Sequence, residues 1–275
     1  VTSAPDTVEA WARAYVSSTA LSTKLRPPPM PDAFEARGAL EPPRPEPWPT
    51  PGRPPELVLS AKAKKTPGPE ALRAPARRAQ VLHGFLHHEL QAAELMAAAL
   101  LRFPDAPLEL RRGMTRVIGD ELRHMALYEE HLARLGLAFG ALPVRDWFWE
   151  RVPSCTTMRQ FLAVMGIGFE GGNLDHSPRF AERFRAVGDE AGARLLERVA
   201  DEEIAHVRLA ARWFLELEPR IEGPLALERW LRELPAPLSP LVMRGLPLDR
   251  RRRHKAGLPN SFVEALAAWQ PSPSS

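Results

Sequence analysis

The sequence predicts an all-α fold, and three observations carry that prediction. From about residue 75 to 217, apolar residues recur with a period near 3.6 over stretches too long for strands. No alternating apolar and polar stretch of any length suggests a sheet. Finally, the helical stretches come in two pairs, with short loops inside each pair and a long link between them. Two helical hairpins joined by one long crossover describe a ferritin-like four-helix bundle.

The first element, DTVEAWARAYVSSTALSTKL from residue 6 to about 25, reads as one short helix capped by Asp6 or Thr7. Residues 26–57 hold 12 of the 30 prolines. Each proline removes a backbone donor and restricts the residue before it, so neither helix nor central strand survives there. This zone reads as an extended arm packed on the bundle through Phe34, Trp48 and Leu57, with a disordered linker as the alternative. A helix from about Pro75 to Phe103 follows and is ended by Pro104; its buried stripe runs from Leu82 through Glu89 to Phe103. The next, from about Leu108 to Leu135, stops at Gly136. A connection carrying Pro143, Trp147, Trp149 and Pro153 leads to a third helix near Thr157, apolar nearly all round in FLAVMGIGF as a central helix should be. The fourth runs from about Asp189 to Leu217. Beyond it, residues 224–234 read as one more short helix, followed by proline-spaced sequence, the basic run Arg250–Lys255 and a terminal PSPSS. The expected division is an N-terminal helix and arm (1–74), the bundle (75–217) and a C-terminal extension (218–275).

Composition narrows the function classes. Apolar content of 44% and charged content of 26% are those of an ordinary soluble globular protein. A net charge of +3 on 275 residues gives no general reason to expect nucleic acid. The single cysteine, Cys155, rules out an internal disulfide framework and suits a reducing compartment. With no secretory pattern at the start and no apolar run of the roughly 18 residues a span requires, the expectation is a cytoplasmic protein without membrane contact.

Within the second helix, the apolar face is interrupted by Glu121 and His124, which lie three residues apart and so share a face. A lone Glu-x-x-His pair arises roughly once by chance in such a chain and carries little weight. Here the pair is repeated as Glu203 and His206 in the fourth helix, again inside the apolar stripe. Each pair is preceded by a helix with a single buried glutamate: Glu89 lies 32 residues before Glu121, and Glu170 lies 33 before Glu203. Internal duplication is the economical explanation. Four carboxylates facing one core need compensation, because each bare buried charge costs several kcal/mol or more. Two divalent cations supply it. Oxygen and imidazole donors without thiolate favour two iron ions (Fe2+/Fe3+) or manganese, or one ion of each, over a closed zinc site. Such a Glu4His2 set is that of dinuclear carboxylate bundles, and a hydrogen-bonded network without metal is the competing reading.

The expected roles follow from position. Glu121 and Glu203 bridge the ions, His124 and His206 bind one each, and Glu89 and Glu170 close the two ends. Asp120 and Glu202 point about 100° away and are candidates to accept the free N–H of the opposite pair's histidine; solvated surface acids are the alternative. Tyr128, one heptad past Glu121, is a candidate hydrogen-bond donor or redox participant, or an ordinary core tyrosine. Glu94 and Asp175, five residues past Glu89 and Glu170, are expected to face away as structural acids. Gly171-Gly172 weakens the third helix at its ligand, either loosening it so that Glu170 can shift or allowing close helix packing.

The stretches LHGFLHHELQAAELMAAALLRFPDAP, GDELRHMALYEEHLARLG, GFEGGNLDHSPRFAERFRAVGDEAGARLLERVADEEIAHVRLAARWF and PGRPPELV resemble an uncharacterised bacterial family of ferritin-like proteins. That family is related in fold to the tRNA-(2-methylthio-isopentenyl-adenosine) hydroxylase, a di-iron monooxygenase. The resemblance runs from about residue 50 to 217 and more loosely to RRRRHKAGLPNSF, and it implies a di-iron centre on the same six residues while leaving the substrate open. The leading expectation is an oxidoreductase that activates dioxygen to oxidise or hydroxylate a small organic substrate, using an electron donor, as a monomer or homodimer. In that reading the arm and the Trp147/Trp149 connection form a lid. Ferritin-like or rubrerythrin-like iron binding or peroxide detoxification is the second reading, although long arms would obstruct a storage shell and no Cys-x-x-Cys unit accompanies the bundle. The general expectation is against nucleic acid. A tRNA-modifying hydroxylase, motivated by the resemblance and the basic run, is the third reading.

Overall fold

The computed structural model describes residues 5–35, 44–62, 66–218 and 223–271. Helices are the regular elements among the described residues, joined by extended and looped segments, and the strand-like pairing is one isolated parallel bridge between Leu59 and Val144. Two compact units divide the chain, Val1–Pro153 and Ser154–Ser275. The division falls inside the long connection, so each unit holds one hairpin and one flanking segment.

In the first unit, α1 (Val8–Ser17) is capped by Thr7, whose hydroxyl accepts from the Ala10 amide at 3.2 Å. A single helix through residue 25 does not form. The chain breaks after Ser17 and restarts as the short α2 (Leu21–Leu25). Ser17 turns its hydroxyl back onto the Arg13 carbonyl at 2.7 Å, the local competition by which serine ends helices. Lys24 then closes the break. Its fully buried ammonium donates to the carbonyls of Tyr15 and Val16 at 2.9 and 2.8 Å, covering the exposed end of α1.

The described part of the proline-rich stretch is extended, as its composition requires; residues 36–43 lie outside the described residues. All three expected anchors are used. Phe34 sits beneath the Arg111 guanidinium at 5.1 Å, Trp48 meets Phe103 edge-on at 5.7 Å, and Leu57 is buried. Gly52 crosses α1 so closely that a Cβ there would stand 2.2 Å from the Ser17 carbonyl oxygen.

The hairpin consists of α3 (Pro75–Arg102) and α4 (Leu108–Arg134), which pack along one another. Pro75 starts α3 where no intrahelical donor is needed. Gly136, at φ +75°, ends α4 by folding the Leu137 amide onto the Leu132 carbonyl at 3.0 Å. At the loop between them, buried Arg111 donates to the Leu100 and Phe103 carbonyls that terminate α3 and pairs with Glu9 at 2.7 Å.

In the second unit, one continuous helix changes character twice. Thr157 caps α5 (Met158–Phe161), which widens into a π-helix over Leu162–Glu170 and returns to α geometry as α6 (Gly171–Ala186). A tight turn at Gly188 leads to α7 (Glu190–Glu216), capped by Asp189. Gly166 in the π segment lets α7 approach: a Cβ there would lie 2.2 Å from that of Ala210. The loosened ladder thus runs up to Glu170 and ends there, while Gly171 and Gly172 begin the regular α6.

The C-terminal extension is more ordered than its sequence suggests. Besides α8 (Leu227–Leu231), inside the expected 224–234 stretch, it forms α9 (Arg250–Lys255) and α10 (Asn260–Ala268). The basic run is thus a helix. Asp249 caps it, Arg250 pairs with Glu264, Arg252 with Asp201 and Asp249, and Arg253 with Asp175. No helix among the described residues is long and apolar enough to cross a membrane.

Candidate metal centre

Each unit buries one triad of the expected ligands. In the first, Glu89 comes from the middle of α3, while Glu121 and His124 project one turn apart from α4; all three are at most 4% exposed. Each offers one ligand atom, and these atoms lie within 4.8 Å of one another. His124 Nδ1 stands 3.4 Å from Glu121 and 3.6 Å from Glu89. Burial alone would lower the imidazole pKa. Hydrogen bonds and charge from Glu121 and Glu89 outweigh burial and push it up to about 11. This pocket therefore calls for positive charge, and one proton on His124 answers only one of two carboxylates.

The second unit repeats the arrangement. Glu170 is the final residue of the π-helix, and Glu203 and His206 lie one turn apart on α7. Their ligand atoms also fall within 4.8 Å of one another, and His206 Nδ1 is 2.9 Å from Glu203 Oε2. Each triad is a buried Glu/His group that could hold a metal ion. Two carboxylates and one imidazole match a divalent first-row ion in charge and donor type, and no thiolate takes part. Cys155, the single cysteine, is buried, with its thiol pKa pushed up to about 12 by burial.

Asp120 and Glu202, expected to orient the histidines, are half-buried on the flanks of α4 and α7. One carboxylate oxygen of each accepts from an arginine of the same helix, Arg123 at 2.8 Å and Arg198 at 3.0 Å. Tyr128 is fully buried one turn past His124, edge-on to Phe85 with ring centres 6.2 Å apart.

The two acids expected to be structural are more deeply engaged than the sequence indicates. Glu94 is fully buried and accepts from Arg53 of the arm at 2.8 and 3.0 Å, from Lys24 at 2.6 Å and from the Trp149 indole at 2.8 Å. Gln91 ties the same connection to α3 by accepting from the Phe148 amide at 3.0 Å, so Trp149 is fastened down within the first unit. Asp175 accepts from Arg253 of α9 at 3.0 and 2.7 Å and from the Gly245 and Asp249 amides at 2.9 and 2.8 Å. Arg253 also donates to the Gly171 carbonyl at 2.8 Å, beside Glu170. In both units, then, an arginine from a flanking segment clamps a buried acid five residues past the single glutamate of the triad. The signal was present as the single arginine of PGRPPELV and as one of the four in RRRRHKAGLPNSF, but nothing in spacing pairs either with its acid. Sequence reasoning also missed Asn173, whose amide donates to Glu203 Oε1 at 3.2 Å.

The fold and these sites define a helical protein with a buried carboxylate–histidine triad in each of two units. The chain belongs to the family described as protein of unknown function (DUF455), whose model matches residues 6–264. An uncharacterised protein of Haemophilus influenzae is 28% identical over 150 residues, 52% of this chain and 52% of that protein. The chain therefore matches about half the length of that relative. No solved structure matches the chain.

Proposed function

We propose that the two triads form one dinuclear centre in a ferritin-like four-helix arrangement, and that the protein is a non-haem di-iron oxidoreductase using dioxygen to oxidise or hydroxylate a small organic substrate. The observation that carries this reading is the repetition of one buried motif, a single glutamate followed by Glu-x-x-His, in both units. Two ions would be held by Glu89, Glu121, His124, Glu170, Glu203 and His206, whose four carboxylates they would neutralise. Iron there would supply redox chemistry with dioxygen, with electrons from an external donor; manganese, or one ion of each, suits the same donors.

The chain's own residues do the rest. His124 must give up its extra proton to present a lone pair, which couples metal loading to proton release. Asp120 and Glu202, which each accept from an arginine of their own helix, would also act as acceptors that fix an imidazole tautomer. Glu170, at the end of a π-helix, sits where backbone geometry is adjustable, so its side chain can move as substrate enters. Tyr128 offers a buried phenol one turn from His124. A small substrate is favoured over tRNA because Arg250, Arg252 and Arg253 are already engaged by carboxylates of the second unit.

Metal analysis of the purified protein tests this reading directly, with two ions per chain expected. Rapid mixing of the reduced, iron-loaded protein with dioxygen should then produce a transient visible absorption that a true substrate accelerates to decay. Slow ferric accumulation without a transient supports iron handling instead. His124→Ala and Glu203→Ala should each abolish two-metal loading in a folded protein; full occupancy in either variant contradicts the ligand assignment.

A further inference from the structure

A relay on α6 distinguishes two triads that otherwise match. Asn173 lies three residues past Glu170, on nearly the same helix face. Its Nδ2 donates to Oε1 of Glu203 at 3.2 Å, while its Oδ1 accepts from the buried Ser177 hydroxyl one turn further on. An ionised carboxylate only accepts, so the amide must turn its NH2 to Glu203, and the Ser177 hydroxyl secures that orientation from the other end. The two oxygens of Glu203 are thereby divided, Oε1 toward Asn173 and Oε2 toward His206 Nδ1 at 2.9 Å. Nothing comparable occupies the matching places in the first unit. Three and seven residues past Glu89 stand Ala92 and Met96, neither of which has a side-chain donor.

We infer that Asn173 is a positioning residue that pins the Glu203 carboxylate through the Ser177–Asn173 relay, so that the two metal positions of the proposed centre differ in affinity. This rests on the reading of the triads as one dinuclear site. Two effects of the amide oppose one another. Drawing electron density from Oε1 weakens Glu203 as a donor, whereas holding the carboxylate in place removes rotational freedom before the ion arrives. Loss of such outer partners typically lowers metal affinity by about 10- to 100-fold, so positioning is the larger effect.

The test uses the full-length protein, stripped by chelator and titrated calorimetrically with Co2+, whose visible absorption also reports the ligand field. Wild type should take up two ions. Asn173→Leu, close to asparagine in size but without donors, should weaken one ion by about 10- to 100-fold and shift its absorption bands. The other ion, which also draws on Glu203 when that carboxylate bridges, should weaken markedly less, whereas a general structural defect would weaken both alike. Ser177→Ala leaves the amide in place but free to turn, so it should reproduce the same one-sided change at smaller size. It also serves as the deciding variant if Asn173→Leu does not fold. Unchanged affinities in a folded Asn173→Leu, or equal weakening of both ions, overturn the inference while leaving the dinuclear centre intact. If wild type binds no cobalt, the centre itself fails, and the relay's proposed role fails with it.

Discussion

Replacing Arg253 with methionine should remove the charge partner of Asp175 while filling much of the same volume. Three hydrogen bonds disappear: two to the Asp175 carboxylate, at 3.0 and 2.7 Å, and one to the Gly171 carbonyl at 2.8 Å. Both side chains of the pair are fully buried, so solvent cannot substitute for the guanidinium. Breaking a buried pair by removing one partner costs about 3–5 kcal/mol, chiefly because the remaining charge is stranded. Asp175 would keep the Gly245 and Asp249 amides at 2.9 and 2.8 Å, which places the expected loss near the lower end, about 3 kcal/mol. Urea unfolding of chelator-treated protein, followed by far-ultraviolet circular dichroism, measures it. The double variant Asp175→Asn/Arg253→Met removes the stranded charge and should fall short of the summed single losses by about 2 kcal/mol. An Arg253→Met protein within about 1 kcal/mol of wild type, or strictly additive losses, would refute the view that this pair is a stabilising clamp.

Two further outcomes are expected. Gly166→Ala puts a methyl group 2.2 Å from the Ala210 Cβ, so the π-helix and α7 must separate; the loss should be at least about 1–3 kcal/mol, and an unchanged midpoint would show that the two do not pack this closely. His176 has its pKa lowered from 6.5 to about 4, first by burial and then by the Arg179 charge. Because its folded pKa lies below the unfolded one, the unfolded chain binds more protons between those values, and stability falls as pH drops through that window. About 3 kcal/mol should be lost on this account between pH 7 and 4, and His176→Gln should flatten that part of the profile.

Much of this architecture is legible because the chain writes its helix ends locally. Pro75, Gly136, Thr157 and Asp189 each mark a boundary by a backbone or capping effect confined to a few residues, and α3, α4, α5 and α7 each start or stop within about two residues of those signals. The triads are legible for a different reason: a carboxylate inside an apolar stripe is costly, and the same cost twice at spacings differing by one residue is informative. The break between α1 and α2 is not, because it is sealed by Lys24, whose partner Glu94 lies far along the chain. The same holds for α9. A row of arginines reads as a solvated surface until its acids are known, and Asp175 stands 78 positions before Arg253. Asn173 gives no signal at all, since an asparagine on a helix is unremarkable without knowing that it reaches Glu203.

The placement of the two arginines has a consequence for how the chain matures on the ribosome. Glu94 is translated after both Lys24 and Arg53, so its positive partners are already made when α3 forms. Asp175 must wait another 78 residues for Arg253, which at bacterial-like elongation speeds is a delay of about 4–16 s. During that interval the second hairpin carries a buried-to-be carboxylate with no guanidinium to receive it. The N-terminal unit can therefore settle during synthesis, whereas its C-terminal counterpart is completed only once the arginine-rich helix emerges.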